Sequence, residues 1–137
     1  MPRISGLLES VLYVDDMARA TAFYRDVLQL DMMLESPRLN AFDAGRQGVL
    51  LLFRHGMTRD DAPTPGGIIP GHDGSGPTHM AFAIPREDYE SWREHLAAHG
   101  VALKSEVDWP AGGKSLYFDD PDGHVIELAT PGLWPNY

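Results

Sequence analysis

The chain has 137 residues, 43% of them hydrophobic and 23% charged, which is enough apolar material for one globular domain with a sizeable core. It contains no cysteine, so disulfides, thiolate metal sites and cysteine nucleophiles are excluded. Eleven basic against twenty acidic residues give a formal charge of −9, which repels phosphate backbones and anionic headgroups and argues against nucleic acid and membrane partners. The longest strongly apolar run, residues 49–53, is far too short to span a bilayer, and the N-terminus lacks the apolar core of a secretion signal. The expectation is a soluble, cytoplasmic protein.

Residues 7–14 predict a strand, and Asp15 or Asp16 caps a helix over 18–28 in which Ala20, Phe23, Val27 and Leu30 recur at three- and four-residue steps. Three short strands follow, near 31–35, 39–44 and 49–53, completing a first module at about 5–54. Residues 55–76 hold several glycines, prolines and aspartates, which sustain neither a helical nor a strand period, and read as a long loop of the kind that serves as a lid or binding loop. A second module at about 77–130 repeats the order: a strand at 78–84, a helix at 87–99 stopped by Gly100, then strands near 103–107, 115–118 and 125–129. A tail, 131–137, closes the chain.

Strand alternation sets the direction of the candidate ligands. Glu9 shares a face with Leu7, Val11 and Tyr13, while Leu8, Leu12 and Val14 point toward the helix. His79 sides with Ala81 and Ala83, and Glu127 with Val125 and Ala129. Glu9 and His79 fall at equivalent places in the two modules, and all three residues occupy the face opposite the most apolar one.

The run from Val14-Asp15-Asp16-Met17 through Phe23-Tyr24-Arg25-Asp26-Val27-Leu28 to Tyr117-Phe118-Asp119-Asp120-Pro121-Asp122-Gly123-His124-Val125-Ile126-Glu127-Leu128 resembles the vicinal oxygen chelate superfamily. That superfamily includes glyoxalase I, bleomycin-resistance proteins, fosfomycin-resistance enzymes, methylmalonyl-CoA epimerase and extradiol dioxygenases. The resemblance implies an α+β fold in which two βαββ modules form a cupped mixed sheet around a central cleft. It further implies a divalent metal held from the first strand of each module and the last strand of the second, positions that match Glu9, His79 and Glu127. The family more often has histidine or glutamine at the first position. Glyoxalase I also takes a glutamate from the last strand of its first module, where this chain offers Leu51, which disfavours that activity.

One imidazole and two carboxylates neutralise a divalent cation, and burying the carboxylates without one is costly. Oxygen-rich coordination suits Mn²⁺ or Mg²⁺, and the imidazole also admits Zn²⁺, Ni²⁺ or Fe²⁺. The alternative is an exposed strand glutamate, a core histidine and a solvated strand end. His72, in the long loop, is either a proton carrier with Tyr117 as a second catalytic group or a solvated loop histidine. Lys114, Ser115 and Tyr117 resemble the polar run that binds a phosphonate in fosfomycin-resistance enzymes, or form an ordinary edge strand. Tyr13 and Phe53 are candidates for walling the substrate pocket.

Two functions follow. One is a metal-dependent enzyme, a lyase, isomerase, transferase or dioxygenase, that stabilises an oxyanion on a small oxygenated metabolite or xenobiotic. The other is a metal-free protein of the bleomycin-resistance type that sequesters a drug or metabolite. The resemblance and the apolar tail residues Leu133, Trp134 and Tyr137 also predict a homodimer.

Overall fold

The computed structural model describes residues 1–137 and divides into two compact units, Met1–Ser75 and Gly76–Tyr137. In each, a strand and helix are followed by three further strands, a βαββ unit closed by a fourth strand.

In the first unit β1 (Glu9–Val14), β2 (Met32–Glu35), β3 (Leu39–Asp43) and β4 (Val49–Arg54) form a mixed sheet in the order β1-β4-β3-β2. β1 runs parallel to β4, pairing Glu9 with Val49, Val11 with Leu51 and Tyr13 with Phe53, so these six side chains share one face. On the other face Leu12, Val14, Leu50 and Leu52 are buried with Ala20, Phe23, Tyr24 and Phe42. The expected start of β1 at residue 7 moves to Glu9. β4 begins only at Val49, whose amide donates to the Leu8 carbonyl at 2.8 Å, and the Leu7 and Leu8 side chains beyond are 82% and 67% exposed.

Asp16 caps α1 (Met17–Ala22), its carboxylate accepting from the Arg19 amide at 3.0 Å. The predicted single helix over 18–28 widens after Ala22 into a π-helical turn, Phe23–Val27, in which the Leu28 amide donates to the Phe23 carbonyl at 3.1 Å. The wider turn lets the adjacent Phe23 and Tyr24 both face the core, edge to face at 5.3 Å. Gln29 ends it at φ 58°.

The expected long loop contains structure of its own. A small antiparallel hairpin, β5 (Ala62–Thr64) and β6 (Gly67–Ile69), is clasped at its base. There the His72 amide donates to the Thr58 carbonyl at 2.8 Å, and the Thr58 hydroxyl to the His72 carbonyl at 2.6 Å. Asp61 accepts from the Gly71 amide, and Arg59 pairs with Asp73, both at 2.8 Å. Gly71 is required by this crossing, since a Cβ would lie 2.2 Å from the Arg59 carbonyl oxygen.

In the second unit β7 (His79–Ala83), β8 (Leu103–Asp108), β9 (Lys114–Asp119) and β10 (Val125–Ala129) repeat the arrangement in the order β7-β10-β9-β8, with β7 parallel to β10. A single 3₁₀ turn, Arg86–Asp88, leads into α2 (Tyr89–Ala98). The stop at Gly100 has a Schellman geometry. Gly100 sits at φ 71°, its amide donates to the Ala97 carbonyl, and the Val101 amide reaches back to Leu96. Tyr89, Leu96, Leu116, Phe118, Ile126 and Leu128 make the core. In the tail, the Tyr137 hydroxyl donates to the Ala129 carbonyl of its own unit at 2.7 Å, while Trp134 is exposed. No helix is long and apolar enough to cross a membrane.

Candidate metal centre

Parallel pairing of β7 with β10 sets His79 beside Val125, and Glu127 lies one same-face step further along β10. The His79 Nδ1 is 2.8 Å from the Val125 carbonyl oxygen, which can only accept, so Nδ1 carries a proton. The outward Nε2 stands 3.2 Å from Glu127 Oε1. In the neutral ring both facing atoms bear lone pairs, and the contact is favourable only with a proton or a cation between them. Glu127 is 4% exposed, whereas His79 is open to solvent.

The other oxygen of Glu127 is held separately. Ser115, fully buried on β9, donates to Glu127 Oε2 at 2.5 Å and accepts from the Trp109 indole N–H at 2.8 Å. Tyr117, paired with Glu127 across the β9–β10 ladder, stacks on the His79 ring with centroids 6.1 Å apart and planes 26° apart. Burial, the Glu127 charge and a hydrogen bond to that carboxylate raise the Tyr117 phenol above its ordinary value, against a smaller opposing bond with Ser115. The phenol is therefore a proton donor at neutral pH.

Lys114 lies on the opposite face of the same strand. Its ammonium is 5.3 Å from the Tyr89 ring centroid and 3.6 Å from an Asp108 oxygen, toward α2 and away from His79. Ser115 and Tyr117 are thus brought to the centre and Lys114 is not.

The first unit gathers a second group. Glu9 is exposed at the start of β1, and Tyr13 lies two same-face positions further on. The Tyr13 hydroxyl meets His72 Nδ1 at 2.5 Å, and Phe53 approaches the imidazole edge to face at 5.0 Å. Burial and the Asp73 charge raise the Tyr13 phenol, outweighing a lowering bond with Thr58. Three of the predicted residues, Tyr13, Phe53 and His72, therefore form one cluster. Within neither unit do three histidine, aspartate or glutamate side chains come close enough together to hold an ion.

Sequence reasoning missed Trp109 as a partner of Ser115 and Thr58 as the clasp on His72. Alternation predicts the face of a strand residue but not which loop side chain its hydroxyl meets.

Two such modules, with an imidazole and a buried carboxylate converging on the open face of one sheet, define a class of small α+β proteins with a metal-type donor set. The family profile described as "Glyoxalase/Bleomycin resistance protein/Dioxygenase superfamily" matches residues 6–128, and the chain belongs to that superfamily. It is 30% identical over 131 residues to "Metallothiol transferase FosB" of Staphylococcus haemolyticus, covering 95% of this chain and 86% of that one. Among solved structures it is similar to a lactoylglutathione lyase from Agrobacterium tumefaciens, with a TM-score of 0.88, 34% identity and coverage of 98% and 99%. It also resembles the genomically encoded fosfomycin resistance protein FosX from Listeria monocytogenes, with a TM-score of 0.68, 25% identity and coverage of 93% and 94%.

Proposed function

We propose that this protein is a divalent-metal enzyme acting on a small oxygenated molecule, with His79, Glu127 and Glu9 as the protein ligands. The observation that carries this reading is the His79 Nε2 to Glu127 Oε1 contact of 3.2 Å, with Nδ1 and Oε2 both occupied elsewhere. Two ligands about 2.1 Å from one ion and about 100° apart would be separated by that much. A bound ion would act as a Lewis acid on a substrate oxygen and stabilise the oxyanion formed there.

The chain's own residues supply the rest. Val125 and Ser115 fix the orientation of the two ligands, as outer partners do in metal sites. Tyr117, stacked on the His79 ring and hydrogen-bonded to Glu127, walls the same face beside the two ligands. His72, with Nδ1 taken by Tyr13, presents Nε2 for proton transfer and serves as the acid or base along the Glu9 face. Lys114 has no part in this reading.

The similarity to a lactoylglutathione lyase does not carry that activity across. Leu51 sits opposite Val11 on the Glu9 face, where a fourth ligand, a third carboxylate, would be needed. The exposed Ile4, Leu7, Leu8, Ile68 and Trp134 support a homodimer, since apolar groups of this size usually find cover.

Zn²⁺ titration by calorimetry tests the reading. Glu9→Gln, His79→Ala and Glu127→Gln should each weaken binding by about tenfold or more while leaving the fold intact. Unchanged affinity in all three would refute it and favour the sequestering protein.

A further inference from the structure

The turn between β8 and β9 is pinned more firmly than its length requires. The Trp109 amide donates to the Gly113 carbonyl at 2.8 Å, and the Gly112 amide returns to the Trp109 carbonyl at 2.9 Å. Arg86 donates to the carbonyls of Gly112 at 2.9 Å and Pro131 at 3.1 Å, tying the turn to the segment that follows β10. Gly113 and Gly132 meet backbone to backbone, and a Cβ on Gly132 would fall 2.5 Å from the Gly113 nitrogen. This scaffold holds one side chain at the centre, the Trp109 indole, whose N–H points at Ser115.

The chemistry of that contact has a direction. An indole N–H can only donate, so it occupies a lone pair of the Ser115 oxygen. A serine hydroxyl has a single proton, and the nearby anionic acceptor is Glu127 Oε2 at 2.5 Å. We propose that Trp109 is a positioning residue for the metal ligand Glu127, acting through Ser115. By holding the serine as donor to Oε2, it leaves Oε1 turned toward His79 Nε2. Without the indole the serine proton is free to rotate, and the buried carboxylate loses the partner that fixes which oxygen it presents. Ser115 is then a support of the carboxylate rather than a group that meets substrate. The proposal rests on the metal reading above.

Calorimetric Zn²⁺ titration of the full chain and of Trp109→Phe, Ser115→Ala and the double variant is the test. Ser115→Ala should weaken Zn²⁺ binding about 10- to 100-fold, and Trp109→Phe by about tenfold. Because both act on one path, the double variant should bind about as weakly as Ser115→Ala alone. Equal affinity of Trp109→Phe and the wild type, or fully multiplicative losses in the double variant, would overturn the relay while leaving the metal reading in place. A wild type that binds no Zn²⁺ would overturn both. A second measurement needs no folded variant at position 109: in the ¹H–¹⁵N spectrum of the wild type, Zn²⁺ should shift the Trp109 indole resonance more than those of Trp92 and Trp134. Trp92→Phe and Trp134→Phe supply the assignment. An unmoved Trp109 resonance in a Zn²⁺-loaded protein would also overturn the relay.

Discussion

Gly74→Ala perturbs the Tyr13–His72 pair without replacing either residue. A Cβ at position 74 would lie 2.6 Å from Tyr13 Cε2 and 2.7 Å from Cδ2, where ordinary contact begins at 3.4 Å. The ring therefore has to retreat by about 0.8 Å. It is not a loose side-chain end, because its hydroxyl is bound to His72 at 2.5 Å. A displacement of that size is enough to stretch the bond to about 3.3 Å, where such bonds are weak. Overpacking of this kind costs about 1 to 3 kcal/mol. For a chain of this length, that is a fall in Tm of roughly 3 to 12 °C. Gly66→Ala is the control: nothing lies within 4 Å of a Cβ there, and the change should be neutral or slightly stabilising. Differential scanning calorimetry gives the stability, and turnover gives the function. If His72 moves a proton only when Tyr13 orients it, Gly74→Ala should lower kcat by about tenfold or more while Zn²⁺ affinity stays within twofold. Equal Tm values for the two variants would refute the packing argument. Full activity in a destabilised Gly74→Ala would refute the role of the pair.

Other outcomes are expected from the same structure. His124 is buried, and its Nδ1 accepts from the Thr78 amide at 3.1 Å. His124→Leu should therefore cost about 1 to 2 kcal/mol in denaturant unfolding and His124→Asn much less, since asparagine restores an acceptor. Glu106 is lowered below its ordinary 4.5 by hydrogen bonds from Tyr89 and Arg93, and Asp73 below 3.8 by hydrogen bonds from Arg59 and the Gly74 amide. Their contribution to stability is present above those ordinary values and is lost as pH falls through the folded ones. Tyr13, Tyr89 and Tyr117 are raised above 10.0, so their contribution holds below pH 10 and is lost as pH rises further. Tm measured from acid to alkali should fall on both sides, with Glu106→Gln flattening the acid limb; an unchanged acid limb in that variant would count against the Glu106 assignment.

The parts of the fold that a single period controls were legible in the sequence. Leu12 and Val14 beside Leu50 and Leu52, and Ile126 and Leu128 beside Phe118 and Leu116, follow from alternation, because one face of each sheet is buried. Gly100 announced the helix end through its left-handed conformation. The π-helical turn was not legible, since Phe23 and Val27 keep helical spacing whichever carbonyl the amides choose. The hairpin at Ala62–Thr64 and Gly67–Ile69 was hidden because Pro63, Gly66 and Gly67 break its period, and its stability comes from the clasp at Thr58 and His72. At the site, parity already set Ser115 and Tyr117 on one face and Lys114 on the other, but the three read as a single polar run. The bond from Trp109 depends on a turn conformation that no strand pattern encodes.

The strand order also bears on the sequence of folding events. β2, β3 and β4 join as a local antiparallel meander, as do β8, β9 and β10, and neighbours in a meander close short loops. β1 and β7 cannot. Glu9 pairs with Val49 and His79 with Val125, so each first strand waits for a chain segment of some forty residues to return. Each first strand lies at the end of its sheet and carries a proposed ligand at its first residue. β1 and β7 are thus the last to be captured in each module and the first that a partial opening would release. Hydrogen exchange should find their amides among the less protected of each sheet, and an ion bound there would tighten the part of the protein that folding leaves loosest.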